Sequence, residues 1–344
     1  MTINGFYILR IHTGGTMGRF LKDEKDRQTL IKTNPIYFSD AARVDGFYKG
    51  KPYPFCLPQE HAGENLFPEI RQSIRSYFAR NEIKWHEGHD GKPSNHLCDS
   101  QVCCANFLFP FFDKPEALAE LLRPIFPELQ KMLPIEDGQY LACEWIGQND
   151  YLGEKKPNKT KRTRGALYTS TDAAVKFRRA DGRIQGVLIE WKYTESYSPT
   201  SLKIAPSGRD RTIIYECLYN STDCILNKEV IPGFANLFYE PFYQLMRQQF
   251  LANEMEKAHE LGADIVSLLH IVPRHNLDFR RVTSPTLQVL GDSPTEVWQR
   301  LIKYPGKFIS VYAEDLFGKF DVGGFPELRA WWNYITWRYS WVLQ

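Results

Sequence analysis

Apolar positions in the first third of the chain recur at helical spacing. In FPEIRQSIRSYFAR, residues 67–80, Ile70, Ile74, Tyr77 and Phe78 fall on one side, and Pro68 suits a first turn, so the pattern predicts a helix. The same period predicts a second helix over 95–109, through Leu97, Val102, Ala105 and Leu108, and a third over 115–132. Residues 1–65 are rich in Gly, Pro and aromatics with little helical period. They are expected to form an irregular or short-stranded segment wrapped on the main body.

After Asp137 the pattern shortens to extended runs. QYLACEWIG (139–147), YTSTDAAVKFR (168–178) and GVLIEWKYTE (186–195) read as three successive strands, with the ADGR turn at 180–183 joining the last two as a hairpin. A helix over 242–261 is predicted to end at Gly262, and DIVSLLHIVP then reads as a buried strand. The order is helix, three strands, helix, strand. This divides the chain into an N-terminal extension (1–94), a core (95–275) and a helical, aromatic-rich C-terminal extension (276–344). The aromatics of WWNYITWRYSWVLQ have mixed spacing, which suits a core or subunit-contact helix better than a platform for stacking bases.

Composition limits what such a chain does. With 43% hydrophobic and 14% aromatic residues, it can bury a sizeable core without metal or disulfide staples. There is no internal repeat. No stretch approaches the roughly 20 apolar residues of a membrane span, and the opening MTINGFYILRIHTGG lacks the features of a signal peptide, so a cytoplasmic protein is expected. The cysteine count is odd, and Cys98, Cys103, Cys104 and Cys143 lie in or beside apolar runs, as reduced thiols do. A net charge of +2 does not advertise a polyanion partner. Lys155, Lys156, Lys159, Lys161, Arg162 and Arg164 nevertheless cluster in one irregular segment beside the candidate site, where they are candidate nucleic-acid contacts.

The chemistry centres on the hairpin. Strand alternation puts Leu188, Glu190 and Lys192 on one face and Ile189, Trp191 and Tyr193 on the other, forcing a carboxylate and an ammonium together. On the preceding strand Asp172 sits among small and apolar residues, an odd place for a charge unless something binds it. The turn lets Asp172 face Glu190. Two carboxylates with the backbone carbonyl of Trp191 between them offer the hard oxygen ligands that Mg²⁺, or Mn²⁺, prefers. Lys192 completes a set suited to phosphodiester hydrolysis.

T-D-A-A-V followed by L-I-E-W-K-Y-T-E resembles the PD-(D/E)XK nuclease superfamily of restriction-endonuclease-like enzymes, over about residues 95–272. The resemblance implies an α/β (α+β type) fold with an αβββαβ core, a mixed central sheet flanked by helices, and divalent-metal cleavage of nucleic acid. It matches Asp172 to the motif aspartate and Glu190 and Lys192 to the (D/E)XK pair. Thr171 stands where the motif has proline.

Further candidates surround that set. Glu144, expected to alternate with Cys143 and Trp145 onto the opposite face, is a candidate extra ligand because a charge in an apolar strand wants a partner. Gln244 and Gln248 share a helix face and resemble the Q-x-x-x-(Y/Q) element of exonuclease-like branches. Ser100, Gln101 and Asn106 are polar positions able to face the site or cap its packing. His86, His89, His96, Cys98, Cys103 and Cys104 lack the paired spacing of a zinc site. The expected activity is a restriction-like endonuclease on double-stranded DNA, acting as a homodimer, with Arg178, Arg179 and Arg183 also engaging the backbone. The alternatives are an exonuclease or repair nuclease, an inactive nuclease-fold binding or assembly module, and a metal-free paired-carboxylate hydrolase.

Overall fold

The computed structural model describes residues 18–155 and 161–344. In chain order its regular elements begin with α1 (Arg19–Ile31), the hairpin β1 (Gly46–Tyr48) and β2 (Lys51–Tyr53), then α2 (Arg71–Arg80), α3 (Ser100–Leu108) and α4 (Pro115–Leu122). The sheet follows as β3 (Leu129–Leu133), β4 (Ala142–Trp145), β5 (Thr171–Arg179) and β6 (Ile184–Trp191). Next come α5 (Thr212–Asn220), α6 (Phe242–Lys257), β7 (Ile265–Val272), α7 (Pro294–Leu301), β8 (Phe308–Tyr312), α8 (Ala313–Phe317) and α9 (Arg329–Arg338).

Six strands form one mixed sheet in the order β3-β5-β6-β7-β8, with β4 pairing the other half of β5's outer edge. β5 and β6 are antiparallel, as the ADGR turn requires, whereas β6–β7 and β7–β8 are parallel. Strand alternation then splits the core. Ile189, Trp191 and Tyr193 join Ala173, Val175 and Phe177 against α3, α4 and α9, while Leu188 and Ala174 face α6 and α7. The mixed sheet sandwiched by helices is the fold expected from the resemblance. Helix α3 is buried nearly all round from Gln101 to Leu108, as befits a helix enclosed by sheet and aromatic layer.

Three expectations need correction. The helix predicted over 115–132 stops at Leu122, because Pro124 and Pro127 cannot continue it, and Leu129–Leu133 instead pairs with β5. Residues 1–65 contain α1, whose buried face carries Glu24, Gln28 and Ile31 at helical spacing. Its polar members hid the period: Gln28 and Glu24 meet Tyr193 Oη, and Gln28 Oε1 accepts from Arg338 Nε at 3.1 Å. The C-terminal extension is not only helical, since β8 lengthens the sheet and Trp331, Tyr334, Tyr339 and Trp341 sit in the same core as the strands.

Candidate active site

The paired strand ends bring the motif together. The β5–β6 register runs through Ala173 opposite Ile189, so one further step sets Asp172 opposite Glu190. Asp172 Oδ2 accepts the Trp191 backbone N–H at 2.8 Å. Among the described residues nothing hydrogen-bonds Asp172 Oδ1. Asp172, Glu190, Lys192, Glu144, Trp191 and Gln244 all line one cavity of about 600 Å³.

Glu190 is held from three sides. Lys192 Nζ lies 2.6 Å from its Oε1, Gln244 Nε2 donates to the same oxygen at 2.7 Å, and Gln248 Nε2 donates to Oε2. Lys192 Nζ also donates to Gln244 Oε1 at 2.6 Å. The helix spacing of Gln244 and Gln248 thus aims both amides at the (D/E)XK pair. Burial acts to lower the Lys192 ammonium, but Glu190, Tyr197, Glu195 and Asp172 hold it well above the usual lysine range. It stays charged.

Glu144 reaches the cavity by an unexpected route. Its backbone is left-handed, with φ of +50°, inside a continuous register that pairs Cys143 with Ala173 and Trp145 with Thr171. Strand alternation breaks there: Cys143 packs on the α3 side and Trp145 on the α6 side, so the expectation that both point away from Glu144 on one face is corrected. A non-glycine residue in this conformation costs roughly 1–2 kcal/mol, strain of the kind found at functional sites. The carboxylate accepts from Gln101 Nε2 at 2.6 Å and Ser170 Oγ at 2.8 Å.

Three carboxylates in one buried corner repel one another. Burial first, and then the charges of Glu190 and Glu144, push Asp172 well above the usual carboxylate range. Burial likewise raises Glu144, with Glu190 adding to the rise. Oxygen donors, crowded negative charge and an Asp172 oxygen without a hydrogen bond fit a hard divalent cation.

The basic segment divides. Lys156 and Lys159 lie outside the described residues. Lys155 is exposed, and Lys161 pairs with Glu82 at 2.8 Å while remaining largely solvent-facing. Arg162 and Arg164 turn inward instead. Arg162 donates to the Ile146 and Gly147 carbonyls, and Arg164 is clamped by Glu136 at 2.7 Å, Tyr77 Oη at 2.9 Å and the Cys143 carbonyl. Their donors hold the loop that carries β4, which leaves them little for phosphates. Arg178, Arg179 and Arg183 stand at the turn end of the hairpin, about 20 Å or more along the strands from Asp172.

Among the described residues, the cysteines of the His and Cys stretch do not join a metal-ligand group. Cys98, Cys103 and Cys104 are buried, and burial raises all three thiols. Asn106 is structural, bonding Phe67 N, the Asn65 carbonyl and Tyr339 Oη. Gln101 and Ser100 do line the cavity, and so do His86, Glu87, Asp99 and Glu195. Sequence reasoning did not assign a role to Asp99 or Glu87. The one signal available was the D-S-Q-V start of a helix, which announces a cap: Asp99 Oδ1 accepts from Val102 N–H at 2.8 Å.

The family model described as Restriction Endonuclease associating with ARP matches residues 24–340. The chain belongs to this family. The match spans nearly all the described elements, so the family's sequence pattern includes α1 from Glu24 onward and α9 as well as the sheet. No curated protein and no solved structure matches the chain. Among the described residues, no helix is long and apolar enough to cross a membrane.

Proposed function

We propose that this protein is a divalent-cation-dependent nuclease that hydrolyses DNA phosphodiester bonds as a restriction-like endonuclease. The observation that carries the reading is the convergence of Asp172, Glu190 and Glu144 on one cavity, with the Lys192 ammonium fixed between Glu190 and Gln244.

Asp172, Glu190, Glu144 and the backbone of Trp191 would hold Mg²⁺ or Mn²⁺. Bound there, the cation supplies Lewis-acid neutralisation of phosphate charge and activation of water. The protein's own groups do the rest. Gln244 and Gln248 fix the Glu190 carboxylate, and the Trp191 N–H fixes Asp172, so neither has to reorganise when substrate arrives. Lys192 holds a permanent positive charge at the (D/E)XK position, where it orients water and stabilises the negative charge that develops on phosphate. Lys155, with Lys156, Lys159 and Lys161, engages the backbone of the duplex. Two cuts per duplex are met most simply by a homodimer.

The test is incubation of the purified chain with supercoiled plasmid and linear DNA, with Mn²⁺, Mg²⁺ or EDTA. Cleavage that needs the metal and yields fixed ends is expected. Undiminished cutting by both Asp172→Ala and Lys192→Ala would refute the assignment. Retained DNA binding without any cleavage would mark a binding module.

A further inference from the structure

The cavity holds more carboxylates than its motif accounts for. Beyond the three motif carboxylates it is lined by Glu87, Asp99 and Glu195, so six carboxylates face two lysines, Lys25 and Lys192. With one divalent cation at the motif, Glu87, Asp99 and Glu195 still place carboxylates in the same partly enclosed cavity, where repulsion of a phosphodiester is poorly screened. Lys192 is already committed to Glu190. Two of these further carboxylates, Glu87 and Asp99, meet His86 at the wall of the same cavity.

From this we infer a second divalent-cation subsite, formed by His86, Glu87 and Asp99, in the same cavity as the nuclease motif. Its use in catalysis rests on the nuclease reading; its existence does not. The imidazole and the two carboxylates bring their ligating atoms within 4.8 Å of one another. His86 and Glu87 are exposed and able to rotate onto one ion, whereas Asp99 is buried and fixed at the start of α3. Beside Asp99, the Ser100 hydroxyl oxygen is buried and has no hydrogen-bond partner among the described residues, though its residue lines the cavity.

Gln101 ties the two subsites together. Its Oε1 accepts the His86 backbone N–H at 2.8 Å while its Nε2 donates to Glu144 at 2.6 Å, so the His86 loop and the motif carboxylate share one amide. Glu87 at present pairs with Lys49 at 3.0 Å and accepts from Tyr48 Oη. Lys49 is mostly exposed, so a cation displaces it cheaply. A mixed nitrogen and oxygen donor set favours Mn²⁺ or Zn²⁺ over Mg²⁺, which sets this subsite apart from the all-oxygen motif site.

Mn²⁺ titration of the full chain, read by calorimetry and by pulsed EPR, tests the proposal. The wild type is expected to bind two ions per chain, one of them showing nitrogen coupling from an imidazole. His86→Ala and Asp99→Asn should each bind one ion, and His86→Ala should lose the nitrogen coupling. Asp172→Ala should lose the other ion and keep the coupling. Unchanged stoichiometry and affinity in His86→Ala, or coupling that survives it, overturns the second subsite while leaving the nuclease reading intact. Absence of DNA cleavage by the wild type in Mn²⁺, with the His86-dependent signal present, removes the nuclease reading and keeps the subsite.

Discussion

The Lys192 ammonium and the Gln244 amide meet at 2.6 Å across the gap between β6 and α6, and Gln244 turns its other end to Glu190 at 2.7 Å. A single side chain from the helix therefore sets the relative position of the acid and the base of the E-x-K tripeptide. Replacing Gln244 with Ala is expected to lower kcat by about 10- to 100-fold, the range seen when a supporting hydrogen bond is removed from a metal site. KM for DNA should change little. Steady-state cleavage kinetics check this.

Lys192 has a heavier role. Its removal leaves Glu190 buried against two amides without a counter-charge, and breaking a buried ion pair typically costs about 3–5 kcal/mol. Lys192→Ala should therefore both abolish cleavage and lower the denaturant midpoint, whereas Asp172→Asn should abolish cleavage with a smaller loss of stability. Equal stability losses in the two variants would argue against the ion pair as a structural element.

Cation affinity should rise with pH. Burial and the charges of Glu190 and Glu144 hold the Asp172 proton on, and it must leave before an oxygen can bind a metal. Glu144→Gln removes one of the repelling charges, so Mn²⁺ affinity measured across pH is expected to become less steep, with its rise moved to lower pH. A steeper dependence in that variant would contradict the coupling of the two carboxylates.

Away from the site, Glu314 titrates near neutrality. Burial pushes its carboxyl up from 4.5 to about 7, even though it accepts the Arg274 backbone N–H at 2.9 Å. Because the folded state holds this proton more tightly than the unfolded chain, its stabilising contribution is full below about pH 4.5 and is lost as pH rises through about 7. Glu314→Gln should flatten that part of the stability profile, as followed by urea unfolding at a series of pH values.

Arg338 ties α9 to α1 and to the segments at Asn65 and Leu97. Its buried guanidinium donates to the Asn65 carbonyl and side chain, the Leu97 carbonyl, Tyr334 Oη and Gln28 Oε1. Each buried acceptor left unsatisfied costs on the order of 1–3 kcal/mol, so Arg338→Met is expected to destabilise the fold by more than about 3 kcal/mol. Calorimetric unfolding measures the loss.

The sequence by itself determined the hairpin and what stands on it. A two-residue alternation and one turn were enough to put Glu190 and Lys192 on one face and Asp172 on the facing strand, because strand geometry is local and the β5–β6 register follows from the turn. The helical spacing of Gln244 and Gln248 was legible for the same reason. Tertiary structure alone decided three other things. Glu144 enters the cavity through a left-handed backbone that no residue pattern announces. Arg162 and Arg164 look like phosphate contacts until Glu136, Tyr77 and backbone carbonyls take up their donors. His86, Glu87 and Asp99 meet only because a loop and a helix cap fold onto the same cavity, and contacts between separate elements leave no period in the chain that carries them.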